Sequence, residues 1–146
     1  MPFQLEKNIR FFFDGSKPTL RWRKELKQFL KRMFASEGIG LDSINFIFSS
    51  DKAVYAINKR FLGHDFFTDI VTFSLSANGA PVVADVYISV DRVRDNAMRH
   101  GEPFQRELHR VIFHGALHLC GYKDKSKSQI REMRRKEDHY LAEYLG

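Results

Sequence analysis

The sequence predicts a single α+β domain over residues 1–146, about four strands in a mixed sheet packed with four to five helices. Three observations carry that expectation. Apolar residues recur at every second position in several short runs, and at three- to four-residue spacing in the longer stretches between them. Strands and amphipathic helices therefore share one chain. No internal repeat, linker or composition break divides the 146 residues. The chain is 43% hydrophobic and 14% aromatic with 14 phenylalanines, enough for a core without cross-links and unlike a disordered chain.

Residues 3–13 place Phe3, Leu5, Ile9, Phe11 and Phe13 on one face at period two, the pattern of a half-buried strand. Asp14 to Pro18 is a turn, after which Thr19 caps a helix with Trp22, Leu26, Phe29, Leu30, Met33 and Phe34 as its apolar stripe. Gly38 or Gly40 ends it. Ile44 to Phe48 reads as a short strand, and Ser49, Ser50 or Asp51 caps a helix carrying Val54, Ile57 and Phe61. Asp69 to Leu75 and Val82 to Ser89 form a hairpin around the turn Ala77 to Pro81. A helix with Val90, Val93 and Ala97 inward stops at Gly101. Pro103 opens the next helix, which runs to about Cys120 and ends at Gly121. The last helix, from about Ser128, carries Ile130, Met133, Leu141, Tyr144 and Leu145.

The formal charge is +6, and its distribution matters more than its sum. Lys17 to Arg32 holds seven basic residues and one acid, and Lys123 to Lys136 holds seven basic residues and two acids. The stretch Glu37 to Val90 is mildly acidic. Two basic segments suit an anionic partner, nucleic acid first, and equally suit solvated helix faces. The single cysteine, Cys120, excludes an intramolecular disulfide. No apolar window reaches membrane-span length, and charges break up the amino-terminal residues. The expectation is a cytoplasmic protein with no membrane partner, a monomer by default.

Three of the six histidines fall within ten residues: His109, His114 and His118. At about 100° per residue, His114 and His118 lie about 40° apart, one turn from each other on one helix face. Two imidazoles at that spacing can share one metal ion, as on the two-histidine helix of zinc peptidases. His109 points elsewhere and reads as a surface residue. Gly121 can adopt the left-handed conformation and turn the chain back, making Asp124 the nearest carboxylate to complete the set. Three protein ligands and a water at the fourth position is the pattern of catalytic zinc. The zinc-peptidase helix carries a glutamate base directly after its first histidine. Here that position is Gly115, which disfavours peptide hydrolysis.

The run His114-Gly115-Ala116-Leu117-His118-Leu119-Cys120-Gly121-Tyr122 resembles the signature of the YbeY endoribonucleases, bacterial rRNA maturation factors. Ile57-Asn58, Thr68 to Phe73 and Ala84 to Ser89 fall in that family's order and spacing, so the resemblance covers roughly residues 44 to 140. It implies a zincin-like fold, one zinc (Zn2+) per chain, and single-stranded RNA as substrate. It further implies small-subunit (16S) rRNA 3′-end maturation and ribosome quality control, with ribosomal RNA and the small ribosomal subunit as partners. Three positions depart from the family pattern. Lys123-Asp124 stands where Asp-His is usual, so the third ligand is a carboxylate rather than an imidazole. Leu62 stands where an arginine is usual, with Arg60 and His64 as nearby substitutes. Ala84 replaces the usual glycine before Asp85.

The sequence and this resemblance together predict a zinc-dependent endoribonuclease with His114, His118 and Asp124 as metal ligands. Lys123, Lys125, Lys127 and Arg131, which follow the site closely, are the RNA-binding candidates. Arg60, His64 and Asp85 are the candidates for a catalytic role beyond the metal and its water, and Asp69, at a strand start, has the same claim on the chemistry as Asp85. The alternative is a non-catalytic RNA-binding ribosome-assembly factor whose zinc is structural; a metallopeptidase is a distant third.

Overall fold

Four strands, β1 (Asn8–Phe13), β2 (Leu41–Ser49), β3 (Ile70–Ser74) and β4 (Val82–Ser89), form one sheet in the computed structural model, which describes residues 8–146. Their order is β1-β2-β4-β3, with β1 parallel to β2 and β2 parallel to β4. β3 runs antiparallel to β4 and is an edge strand, which realises the expected hairpin. The mixed α+β sheet is thus the expected one. Residues 3–7 of the expected first strand lie outside the described residues.

Alternation sets the two faces of the sheet. Ile9 on β1, Ile44, Phe46 and Phe48 on β2, and Ala84, Val86 and Ile88 on β4 are buried on one face. Five helices complete the fold: α1 (Arg23–Ser36), α2 (Asp51–Leu62), α3 (Val90–Arg99), α4 (Phe104–Leu119) and α5 (Lys127–Leu145). α4 lies against the buried face and is covered on most sides, with Leu108, Ile112, Phe113, Ala116 and Leu117 wholly inaccessible. It lies close to the sheet at Gly115, where a Cβ would stand 2.8 Å from Ile70 Cδ1 and 3.1 Å from Val86 Cγ1. Glycine is what lets the helix sit this low on β3 and β4. The side chain direction at 115 is into the sheet, so a glutamate there would be buried rather than aimed at a substrate.

Several local expectations are corrected. α1 begins at Arg23, four residues after the proposed Thr19 cap, because Trp22 adopts φ 51, a left-handed conformation that a helix cannot contain. Trp22 is 67% exposed and leaves the stripe, whose other members are buried. The Thr19 carbonyl instead accepts a hydrogen bond from Gln105 Nε2 at 2.7 Å. Of the α2 stripe, Val54 is buried but Phe61 is exposed; Ile130 and Leu145 on α5 are exposed too. α5 starts at Lys127, where Ser126 and Gln129 form a capping box.

Candidate metal centre

α4 carries His114 and His118 one turn apart, their rings edge-on with centroids 4.5 Å apart. The helix ends at Leu119, and Gly121 at φ 105 reverses the chain. The reversal is closed by the Gly121 amide on the His118 carbonyl (3.0 Å) and the Tyr122 amide on the Leu117 carbonyl (3.0 Å). It returns Asp124 over the histidine face, with Oδ2 3.3 Å from Nε2 of both His114 and His118. One donor atom from each of the three residues lies within 4.8 Å of the others.

Hydrogen bonding selects the tautomer of each ring. His114 Nδ1 lies 2.6 Å from Glu137 Oε2, and His118 Nδ1 lies 2.9 Å from the Tyr122 carbonyl oxygen. A carbonyl and a carboxylate accept, so each Nδ1 donates and each Nε2 is the ring atom turned toward Asp124, free to bind a metal in the neutral tautomer. Two nitrogen donors and one carboxylate oxygen, converging and preorganised, fit zinc. Burial lowers the His114 pKa, but the hydrogen bond and charge of Glu137, helped by Asp69 and Asp124, outweigh it and raise the pKa above the ordinary value. The same anionic surroundings favour a cation held there. The Cys120 thiol is no part of the set. Burial pushes its pKa up to about 12.

Glu137 itself is buried on α5 and is held by Arg110 Nη1 at 3.1 Å and Arg134 Nη1 at 3.4 Å. Arg110 also reaches Asp138 at 2.9 Å. Burial opposes its charge, yet Asp138 and Glu137 hold its pKa above the usual value. The buried carboxylate is therefore paired with cations on the side away from His114. Sequence reasoning missed Glu137, although a signal existed. It falls in the apolar series Met133, Tyr140, Leu141 of α5, and an acid at a core position of a helix calls for a partner.

A cleft of about 710 Å³ opens beside the three donors along edge strand β3. Leu62, His64, Phe66, Asp69 and Lys125 contribute to its wall. A second cavity of about 380 Å³ lies on the other side of His114, between α3, α4 and α5. Asp69 lines both, and burial raises the pKa of its carboxyl, with His114 opposing. Asn96 Nδ2 donates to Asp69 Oδ2 at 3.3 Å.

The remaining sequence candidates divide. Asp85 neighbours Val86 on β4 and so faces away from α4, where it accepts from Asn45 Nδ2 at 3.1 Å. It is not brought to the donors. Arg60 turns its guanidinium onto the Phe61 ring, 5.3 Å from its centroid, and does not line the cleft. Leu62 and His64 do line it. Lys123, Lys125, Lys127 and Arg131 are all exposed, and none pairs with an acid among the described residues. His109 is not a surface residue: it is 5% exposed, with Nδ1 2.6 Å from the Gln105 carbonyl oxygen, because its side of α4 packs beneath Tyr144.

Three protein donors that leave one side open to a cleft are the arrangement of hydrolytic metalloenzymes, whereas structural zinc is enclosed by four protein ligands. The family model described as Endoribonuclease YbeY matches residues 13–145, and the chain belongs to that family. It is 41% identical over 137 residues to the Endoribonuclease YbeY of Cytophaga hutchinsonii, covering 94% of this chain and 96% of that one. It is 41% identical to the protein of the same name from Phocaeicola vulgatus, covering 92% and 96%. The solution structure of TM1509 from Thermotoga maritima superimposes with a TM-score of 0.63 at 25% identity, covering 92% of this chain and 91% of that one.

Proposed function

We propose that this chain is a zinc-dependent endoribonuclease that cuts single-stranded RNA in the 3′-end maturation of small-subunit rRNA and in ribosome quality control. It works as a cytoplasmic monomer with ribosomal RNA and the small ribosomal subunit as partners. Among the described residues no helix is long and apolar enough to cross a membrane. The observation that carries the reading is the convergence of His114, His118 and Asp124 at the mouth of a cleft, beside a run of unpaired cations.

His114, His118 and Asp124 would hold one zinc, which supplies Lewis-acid polarisation of a phosphodiester oxygen and a lowered pKa for water. Glu137 and the Tyr122 carbonyl keep both imidazoles turned with Nε2 toward the cleft. Lys125, in the cleft wall, meets a phosphate, and Lys123, Lys127 and Arg131 extend that positive path. Asp69, a cleft-wall carboxyl whose pKa burial raises, is our candidate for returning a proton to the leaving oxygen. Three donors open to a cleft support turnover over the alternative of a structural zinc.

The test is cleavage of a labelled single-stranded RNA and of its duplex by the purified protein, with chelator and with zinc restored. Cutting confined to the single strand, lost with chelator, regained with zinc and absent in Asp124→Ala is the expected result. Cleavage that survives in chelator-treated protein and in Asp124→Ala would place the chemistry elsewhere.

A further inference from the structure

We infer that Phe66, backed by His64, is a stacking platform for a nucleobase of the RNA strand beside the metal centre. This rests on the nuclease reading and adds to it the group that seats the strand. The loop between α2 and β3 carries two half-exposed rings, Phe66 and Phe67, and presents the first of them to the cleft. α2 ends at Gly63, whose φ of 68 reverses the chain. The His64 amide then bonds the Asn58 carbonyl at 3.2 Å. Asn58 is 2% exposed, and its Nδ2 donates to the Phe66 carbonyl at 3.1 Å, so a buried amide is committed to holding the backbone at this one residue. The next ring, Phe67, is pinned away from the cleft. It stacks on Tyr55 with centroids 4.5 Å apart, and the Arg92 guanidinium lies 5.3 Å from its centroid.

Phe66 is left over. It is 54% exposed and lines the same cleft as His114, His118 and Asp124. Its one aromatic neighbour is His64, nearly parallel at 5.1 Å and 16°, also in the cleft wall. A phenylalanine half in water, on a loop held by a buried hydrogen bond, has been given a place but no cover. The surroundings decide what covers it. Asp69, Asp124 and Lys125 share the cleft, so a purely apolar partner would strip water from charges without replacing it. A nucleotide brings a flat π face for Phe66, polar edges for the wall and a phosphate for Lys125. Rings fixed beforehand lose little freedom when a base stacks on them, and every base has a face to stack.

The experiment measures KM and kcat of the zinc-loaded protein on a short single-stranded RNA, for wild type and for Phe66→Ala, Phe66→Leu, Phe66→Tyr and Phe66→Trp. Zinc content and thermal midpoint are recorded for each. Loss of one base stack weakens binding by about 5- to 150-fold. That factor should fall on KM in both Phe66→Ala and Phe66→Leu, while Phe66→Tyr and Phe66→Trp stay near wild type. The salt dependence of KM should be the same in all five proteins, because stacking releases no counterions. An unchanged KM in Phe66→Ala, or a Phe66→Leu protein as good as Phe66→Tyr, overturns the platform and leaves the nuclease reading intact. Wild-type protein that neither binds nor cuts the RNA overturns both.

Discussion

Gly115→Ala tests the packing that sets the height of the histidine helix above the sheet. In an exposed helix interior the change would stabilise by about 1 kcal/mol, through helix propensity alone. Here the new Cβ would stand 2.8 Å from Ile70 Cδ1, closer than real contacts come, and 3.1 Å from Val86 Cγ1, tight enough that the neighbour must give by a few tenths of an ångström. Overpacking of this kind costs about 1–3 kcal/mol. Ile70 Cδ1 is the far end of a side chain and can swing aside, which favours the lower half of that range. The net expectation is neutral to about 1 kcal/mol destabilised. The diagnostic is a double-mutant cycle by urea denaturation with Ile70→Val, which deletes the clashing methyl. In that background Gly115→Ala should recover about 1 kcal/mol of stability relative to its effect in the wild type. Zinc affinity should follow the same pattern, since any lift of α4 moves His114 and His118 against Asp124. If Gly115→Ala stabilises the wild type by the full propensity gain and shows no coupling to Ile70, the helix does not rest on the sheet at this point.

Glu137→Gln retains an acceptor for His114 Nδ1 but removes the charge, so zinc affinity in a competition titration should fall by about 10- to 100-fold, with zinc still bound at saturation; unchanged affinity would deny Glu137 its orienting role. Replacing Lys125, Lys127 and Arg131 with Gln should reduce the salt slope of RNA binding by about two units at roughly 0.7 per phosphate contact, with zinc content unaffected. The same change at Lys24, Lys27 and Lys31 on α1 is the control, and if it alone abolishes binding, the RNA path lies elsewhere. Burial holds the His109 pKa below its ordinary value, the hydrogen bond from the ring to the Gln105 carbonyl opposing only in part. The unfolded chain, protonating near 6.5, therefore binds more protons than the folded one between the two pKa values. His109 accordingly withdraws stability as the pH falls from about 6.5 through its folded pKa. His109→Gln should make the acid loss of stability shallower than in wild type, as read from urea midpoints between about pH 7.5 and 5.

The helix boundaries around the site were legible because their causes are local. The one-turn spacing of His114 and His118 follows from 3.6 residues per turn, and the reversal after α4 from glycine's freedom at position 121, here used at φ 105. Asp124 came within reach for the same reason, being three residues beyond the turn. The hairpin of β3 and β4 is also a short-range property, set by a turn between two alternating runs. Where a local rule failed, a distant contact had overridden it. The helix expected at Thr19 yields to an extended segment whose Leu20 is buried in the core and whose Thr19 carbonyl is held by Gln105.

Everything that makes the three donors into a site comes from parts of the chain far apart in sequence. Glu137 reaches His114 from α5, Asp69 arrives from the start of β3, and Phe66 is aimed by a buried amide on α2. Gly115 reads in one dimension as a missing glutamate; in three it is the contact that seats α4 on Ile70 and Val86. His109 reads as a surface residue and is buried, because the face of α4 it occupies is covered by Tyr144 from the far end of the chain. Periodicity states which residues of a helix share a face, but not what packs on that face. Local sequence therefore places the three candidate donors, whereas the Glu137 carboxylate, the Asp69 carboxyl and the exposed Phe66 ring come together with them only once the sheet and α5 close around α4.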